Sequence, residues 1–189
     1  LRRYWPPVGD WESVSWASEF AEHETAPVEF IRVPEGLVRI WHDALGDRVT
    51  AISKRDQWDY IYATVDLIAL KGNRFHKKRN LVAQFEKNYT YRYEPLTMEL
   101  ADKTLALQDD WCLWRQCSSD AHLADENRVI WKVLSHWDLL SGAVGGCLLV
   151  EDLVAAYTVG EVVSEDTLVI HFEKACPNHK GSYQAINRI

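Results

Sequence analysis

A chain of 189 residues, 47% hydrophobic and 26% charged, is sized for one large domain or two small ones. That composition excludes a disordered chain. No run approaches the ~20 apolar residues of a membrane span, and no basic segment followed by an apolar run opens the chain as a signal peptide would. A formal net charge of −7 argues against a protein that coats nucleic acid broadly. The numbering opens on Leu1 and not on Met, which reads as a piece of a longer chain.

In chain order, Tyr4–Gly9 (YWPPVG) reads as a loop or strand end. Asp10 is placed to cap a helix with Val14, Ala17, Phe20 and Ala21 on its apolar side. Val28–Val33 is strand-like, rich in branched and aromatic residues. Pro34 suits the first position of a helix whose apolar face is Leu37, Val38, Ile40, Trp41 and Leu45, closed by Gly46. Arg48–Ser53 and Trp58–Ala63 are expected as two further strands. Asp66–Leu70 begins a short helix, Gly72-Asn73 breaks it, and a second helix runs from about Arg74 to Asn88.

Tyr89–Tyr93 alternates as a strand. Thr97 caps a long helix striped with Leu100, Leu107, Trp111 and Trp114, and Ser118–Ala124 reads as a polar loop. Val129, Ile130, Val133, Leu134 and Trp137 mark a further amphipathic helix, ending near Gly142. Three strands follow, about Ala143–Val150, Leu153–Val162 and Thr167–Lys174. Their tight polar connections predict an antiparallel meander. A last helix starts near Ser182.

The four cysteines form no CxxC pair and are expected as reduced thiols, which with the missing leader suggests a cytoplasmic protein. Cys112, Cys117 and His122 fit no zinc spacing, so no metal is expected. Most of the nine tryptophans are expected in the core or at an interface. The sharp feature is Lys71, Arg74, Lys77, Lys78 and Arg79, five cations within ten residues that contain no acid. Setting them aside leaves 16 basic against 28 acidic residues, or −12 for the remainder. One cationic place on an acidic body suits a single phosphate-bearing ligand, whereas a solvated helix face is the plainer alternative. Lys78 stands in the line Phe75–Val82–Phe85 and must snorkel, pair, or face a cleft.

The element order fits a mixed α+β fold. From Tyr89 it is strand, helix, helix, three antiparallel strands, helix, the front half of a GNAT-type acyltransferase domain. Residues before Ala63 resemble the back half of one, so the chain reads as the middle of a tandem pair. The expected division is residues 1–65, a basic connecting helix over 66–88, and residues 89–189. A single α+β domain is the alternative.

Two stretches carry a closer likeness: DYIYATVDLIALKGNRFHKKRNLVAQF (Asp59–Phe85) and LVIHFEKACPNHKGSYQAIN (Leu168–Asn187). Their DYIY, LKG, KKRN and EKA…KGSYQAIN motifs resemble soluble bacterial proteins grouped with the C-terminal domain of phosphatidylglycerol lysyltransferases. The resemblance implies a tandem GNAT-like fold that moves an aminoacyl group from aminoacyl-tRNA to an amine or hydroxyl acceptor, a lipid headgroup among them. It also implies tRNA as a partner and peripheral contact with a membrane.

Such transfer needs a cationic surface for the donor's phosphates, a base for the acceptor, and donors for the oxyanion. Lys71, Arg74, Lys77, Lys78 and Arg79 suit the first need, with Asn80 as a neutral donor or cap. Strand alternation puts Val169, His171 and Glu173 on one face, making His171 and Glu173 the candidate acid and base. An exposed strand face is the plain alternative, and Glu161 on the preceding strand is a possible neighbour. Lys180-Gly181-Ser182 opens a helix whose amides are expected to hold an anion. Tyr183 and Asn187, four apart, share a face and line the same cleft. The single glycine between Pro177 and Ala185 departs from the glycine-rich coenzyme A loop of acetyl-CoA-dependent GNAT enzymes. No cofactor is therefore expected, with an acyl-CoA donor, or a non-catalytic module binding an anion, as alternatives. No P-loop, HExxH, GxSxG or GxGxxG occurs. The oligomeric state is not readable.

Overall fold

A computed structural model describes residues 2–23 and 26–189. The chain divides into two compact units, residues 1–61 and 62–189.

In the first unit, β1 (Arg2–Tyr4) pairs in parallel with β2 (Val28–Phe30). Asp10 does cap, but it caps a single 3-10 turn, Trp11–Ser13. The helix itself is α1 (Trp16–His23). Pro34 precedes α2 (Glu35–Leu45), and Gly46 ends it at φ 58°. The core is aromatic: Trp16 and Trp41 cross edge to face at 5.5 Å, and Phe20 and Phe30 lie 5.6 and 4.8 Å from Trp41.

The strands expected at Arg48–Ser53 and Trp58–Ala63 are absent. Beyond the 3-10 turn Gly46–Arg48 both stretches are irregular, and one further 3-10 turn, Arg55–Gln57, lies between them. Branched and aromatic residues favour a strand only where a ladder and a packed face receive them. Here Ile52 and Ile61 are 75% and 94% exposed, so neither is received. Arg55 lies over the rings of Trp58 and Tyr60 instead. Several tryptophans also depart from the expected burial: Trp5, Trp58, Trp114 and Trp131 are exposed.

The second unit is the predicted meander. Strands β3 (Tyr91–Pro95), β4 (Ala143–Val150), β5 (Leu153–Ser164) and β6 (Thr167–Ala175) form an antiparallel sheet in chain order. Side chains on successive residues leave opposite faces. Cys147, Leu149, Tyr157 and Val159 therefore pack on one side, against α5 (Met98–Arg115) and α6 (Ala121–Ser135). Leu148, Val150 and Ala156 pack on the other, against Phe85 of α4 (His76–Asn88) and Ala185 and Ile186 of α7 (Ser182–Ile186). Tyr157, fully buried, donates its hydroxyl to Gln108 Oε1 at 2.6 Å.

Thr97 caps α5 as expected, accepting from Leu100 N–H. The loop expected at Ser118–Ala124 is shorter, because Asp120 Oδ1 accepts from His122 and Leu123 N–H and starts α6 at Ala121. Gln116, in the left-handed conformation, turns the chain so that Cys117 returns to Cys112, and the two form a disulfide. This corrects the expectation of four reduced thiols and removes both sulfurs from metal ligation. Cys147 and Cys176 are free and buried. Burial pushes the Cys147 thiol up to about 11.

Candidate functional site

All the candidate residues lie in the second unit. Helix α3 (Thr64–Ala69) ends on Leu70 in the left-handed conformation, and Gly72, at φ 87°, redirects the chain into α4. Phe75, Val82 and Phe85 are buried, and Lys78, in line between them, is half-buried. Its stem follows the apolar line and its ammonium sits 5.3 Å from the centre of the Tyr62 ring.

The five cations do different things. Arg79 Nη1 donates to the Leu70 carbonyl and, at 3.3 Å, to the Gly72 carbonyl, so it ties the α3–α4 turn together. Arg74 Nη2 bonds Asp66 Oδ2 at 2.7 Å, and its guanidinium lies over the Phe75 ring. Lys71 and Lys77 are exposed and make no ion pair among the described residues. Asn80 Nδ2 lies 3.1 Å from His76 Nε2, one helical turn back.

Four predicted residues converge where α4, β6 and α7 meet. Glu173 is half-buried on β6, and Asn187 Nδ2 donates to its Oε2 at 3.2 Å. Burial holds the Glu173 carboxyl above the usual carboxylate range, while the Asn187 hydrogen bond and the Lys78 charge pull it back down. Tyr183 is raised too, first by burial, then by the Glu173 and Glu126 carboxylates. A carboxylate biased toward holding a proton thus faces a lysine, an amide donor and a phenol that stays protonated.

His171 does not join them. The ladder from β5 to β6 slips between Val159/Phe172 and Gly160/Ile170, leaving His171 as the extra residue. The alternation that placed His171 and Glu173 on one face does not survive that slip. His171 Nε2 lies 3.2 Å from Glu161 Oε2, and both are exposed. Glu161 is therefore the partner of His171, not of Glu173.

Lys180 is exposed, and Gly181 is buried against α4. The helix after them has five residues, and the Ser182 N–H already donates to the His179 carbonyl. Its amides are less free than the sequence suggests. Leu81, Cys176, His179, Lys180 and Tyr183 are among the residues lining an open cavity of about 310 Å³ there.

Sequence reasoning missed Lys174, Glu126 and Trp111. The Lys174 ammonium bonds both Glu126 oxygens at 2.9 Å and lies 4.3 Å from the Trp111 ring centre. Lys174 faces α5 and α6, opposite to Glu173. A lysine at an inward position of a strand was the only available signal, and its acid lies 48 residues away in sequence.

Fold and site together define an α+β domain with a polar cluster at the outer strand of its main sheet. The family model described as phosphatidylglycerol lysyltransferase, C-terminal, matches residues 2–189, and the chain belongs to that family. Among solved structures it is similar to a conserved protein of unknown function from Bacteroides thetaiotaomicron VPI-5482, with a TM-score of 0.85 and 29% identity. That likeness covers 98% of this chain and 64% of the other, so the chain spans somewhat under two thirds of that relative's length. The comparison with curated proteins finds no match. No described helix is long and apolar enough to cross a membrane.

Proposed function

We propose that this lysyltransferase-related domain is GNAT-like and moves an aminoacyl group from an aminoacyl-tRNA-type donor to an amine or hydroxyl acceptor. In that reading residues 1–65 are the back half of one copy and residues 89–189 the front part of the next. Its main support is the half-buried Glu173, hydrogen-bonded by Asn187 beside Lys78. Glu173 takes the acceptor's proton as the new bond to the aminoacyl carbonyl forms. The ester bond to the donor's ribose oxygen then breaks, and the Tyr183 hydroxyl protonates the leaving oxygen. Lys78 offsets negative charge on the tetrahedral intermediate. The unpaired Lys71 and Lys77, with Lys180, hold phosphates of the donor. Peripheral contact with a membrane belongs to the same proposal where the acceptor is a lipid headgroup.

The test is transfer of a radiolabelled amino acid from charged tRNA, by the purified protein, to phosphatidylglycerol vesicles and to soluble amines. Labelled product that disappears with Glu173→Gln supports the reading. No product and no tRNA binding at low salt overturns it. Binding without product leaves a module that holds an anion.

A further inference from the structure

Helix α3 buries none of its own residues, yet its place is fixed. Leu70, just past its end, packs with Phe75 and Val82. Guanidinium groups do the rest. Arg79 donates to the Leu70 and Gly72 carbonyls, and Arg74 bonds Asp66. Arg188 Nε donates to the Ile68 carbonyl at 3.2 Å, and its Nη1 bonds Glu86 of α4 at 3.0 Å. Carbonyls at the C-terminal end of a helix favour such cations. These bonds pin α3 to α4 and to the end of α7. Tyr62, which stands just before α3, is thereby presented to Lys78.

Lys78 has two claimants. The Glu173 carboxyl is close enough to feel its charge, and a lysine stem is long and flexible. A half-buried carboxylate beside a lysine ordinarily pairs with it. Here it does not: among the described residues Lys78 ion-pairs with no carboxylate, and its ammonium lies over the Tyr62 ring. The other groups around both are occupied. The acids of α3 and α4, Asp66 and Glu86, are held by Arg74 and Arg188. On α7, Asn187 donates to Glu173 Oε2, and the Tyr183 phenol is neutral. On β6 itself, His171 lies with Glu161, and Lys174 bonds Glu126 on the opposite face. Thr158, opposite Glu173 on β5, carries no charge.

We propose that Tyr62 is a positioning residue whose ring holds the Lys78 ammonium off the Glu173 carboxylate. Glu173 thereby stays the stronger base, and the N–H donors of Lys78 stay open to a developing anion. The role in transfer rests on the transferase reading, whereas the holding of Lys78 does not. Its size follows from the contact. One partly exposed cation–π contact biases an ammonium by about two- to fivefold. Without the ring, Lys78 moves onto Glu173 by that factor. Pairing favours the charged carboxylate, so the proton affinity of Glu173 falls.

The test is a carbon-13 carboxyl titration of the full chain, with the Glu173 signal assigned by its loss in Glu173→Gln. Tyr62→Leu is expected to lower the proton affinity of Glu173 about two- to fivefold. Tyr62→Phe keeps the ring and is expected to leave the titration in place. In a Lys78→Met background, Tyr62→Leu is expected to change nothing. Tyr62 is 50% exposed and takes no part in the arginine bonds, so Tyr62→Gln suits the position too. It is expected to give the same fall, and it decides the matter should Tyr62→Leu not fold. An unmoved titration in both ringless variants, or an equal fall in the Lys78→Met background, would overturn the proposal. If the titration moves as described and charged tRNA yields no product, the holding of Lys78 stands and the transferase reading falls. If product forms and Tyr62→Leu leaves both the titration and the pH dependence of the rate in place, the proposal falls and the transferase reading stands.

Discussion

Gly181 approaches Leu81 so closely that a Cβ on the glycine would lie 2.2 Å from the leucine's carbonyl oxygen. The backbone there is also left-handed, at φ 94°. This contact brings the loop after β6 against α4 and so sets Glu173 and Asn187 beside Lys78. Gly181→Ala is expected to cost about 2–4 kcal/mol, from strain plus displaced helix backbone. Urea unfolding checks it, and a loss under ~1 kcal/mol would show that the crossing tolerates a methyl.

Arg79 and Lys77 belong to one basic run but should fail differently. Arg79→Ala removes a donor from two turn carbonyls and is expected to lower stability by about 1–2 kcal/mol. Lys77→Ala should leave Tm unchanged. It should reduce the slope of log affinity against log salt, for single-stranded tRNA ends, by roughly 0.7. Thermal unfolding and tRNA binding at several salt concentrations separate the two.

The raised Glu173 carboxyl has a defined sign in stability. Between its unfolded value near 4.5 and its higher folded value, the native state holds more protons than the unfolded state. Stability therefore falls as pH rises through that window, and the penalty persists above it. Glu173→Gln should flatten this part of the profile and be more stable at neutral pH. If Glu173 is the base, the transfer rate should rise with pH through its folded pKa. Asn187→Ala should move that rise to higher pH, because Asn187 favours the charged form. A profile that Asn187→Ala leaves in place would remove Glu173 from the rate.

The Cys112–Cys117 pair closes a very short loop, for which chain entropy gives about 2 kcal/mol. Dithiothreitol should lower Tm accordingly, and the Cys112→Ser, Cys117→Ser double variant should lose that sensitivity. Alkylation of Cys112 and Cys117 in native, unreduced protein would show that the pair is open.

The meander was legible because its strands are apolar runs joined by short polar turns, Glu151-Asp152 and Ser164–Asp166. So was Lys78, since a charge inside the line Phe75–Val82–Phe85 stands out at helical spacing. The irregular stretch from Val49 to Ala63 was not, because its branched and aromatic residues look the same whether or not a ladder awaits them. Of the candidate site, Glu173, Tyr183 and Asn187 were found through alternation and helical spacing. His171 was grouped with them wrongly because a bulge leaves no mark in residue type. The role of Arg79 was hidden for a related reason. A guanidinium bonded to carbonyls and one waiting for phosphate read alike.

The bulge at His171 decides which face the rest of β6 presents. If the length were kept and His171 paired with Val159, Glu173 would fall opposite Tyr157 on the α5 and α6 side and Lys174 would come round in its place. Relatives that keep a carboxylate beside α7 should therefore either carry this bulge or lack its one extra residue.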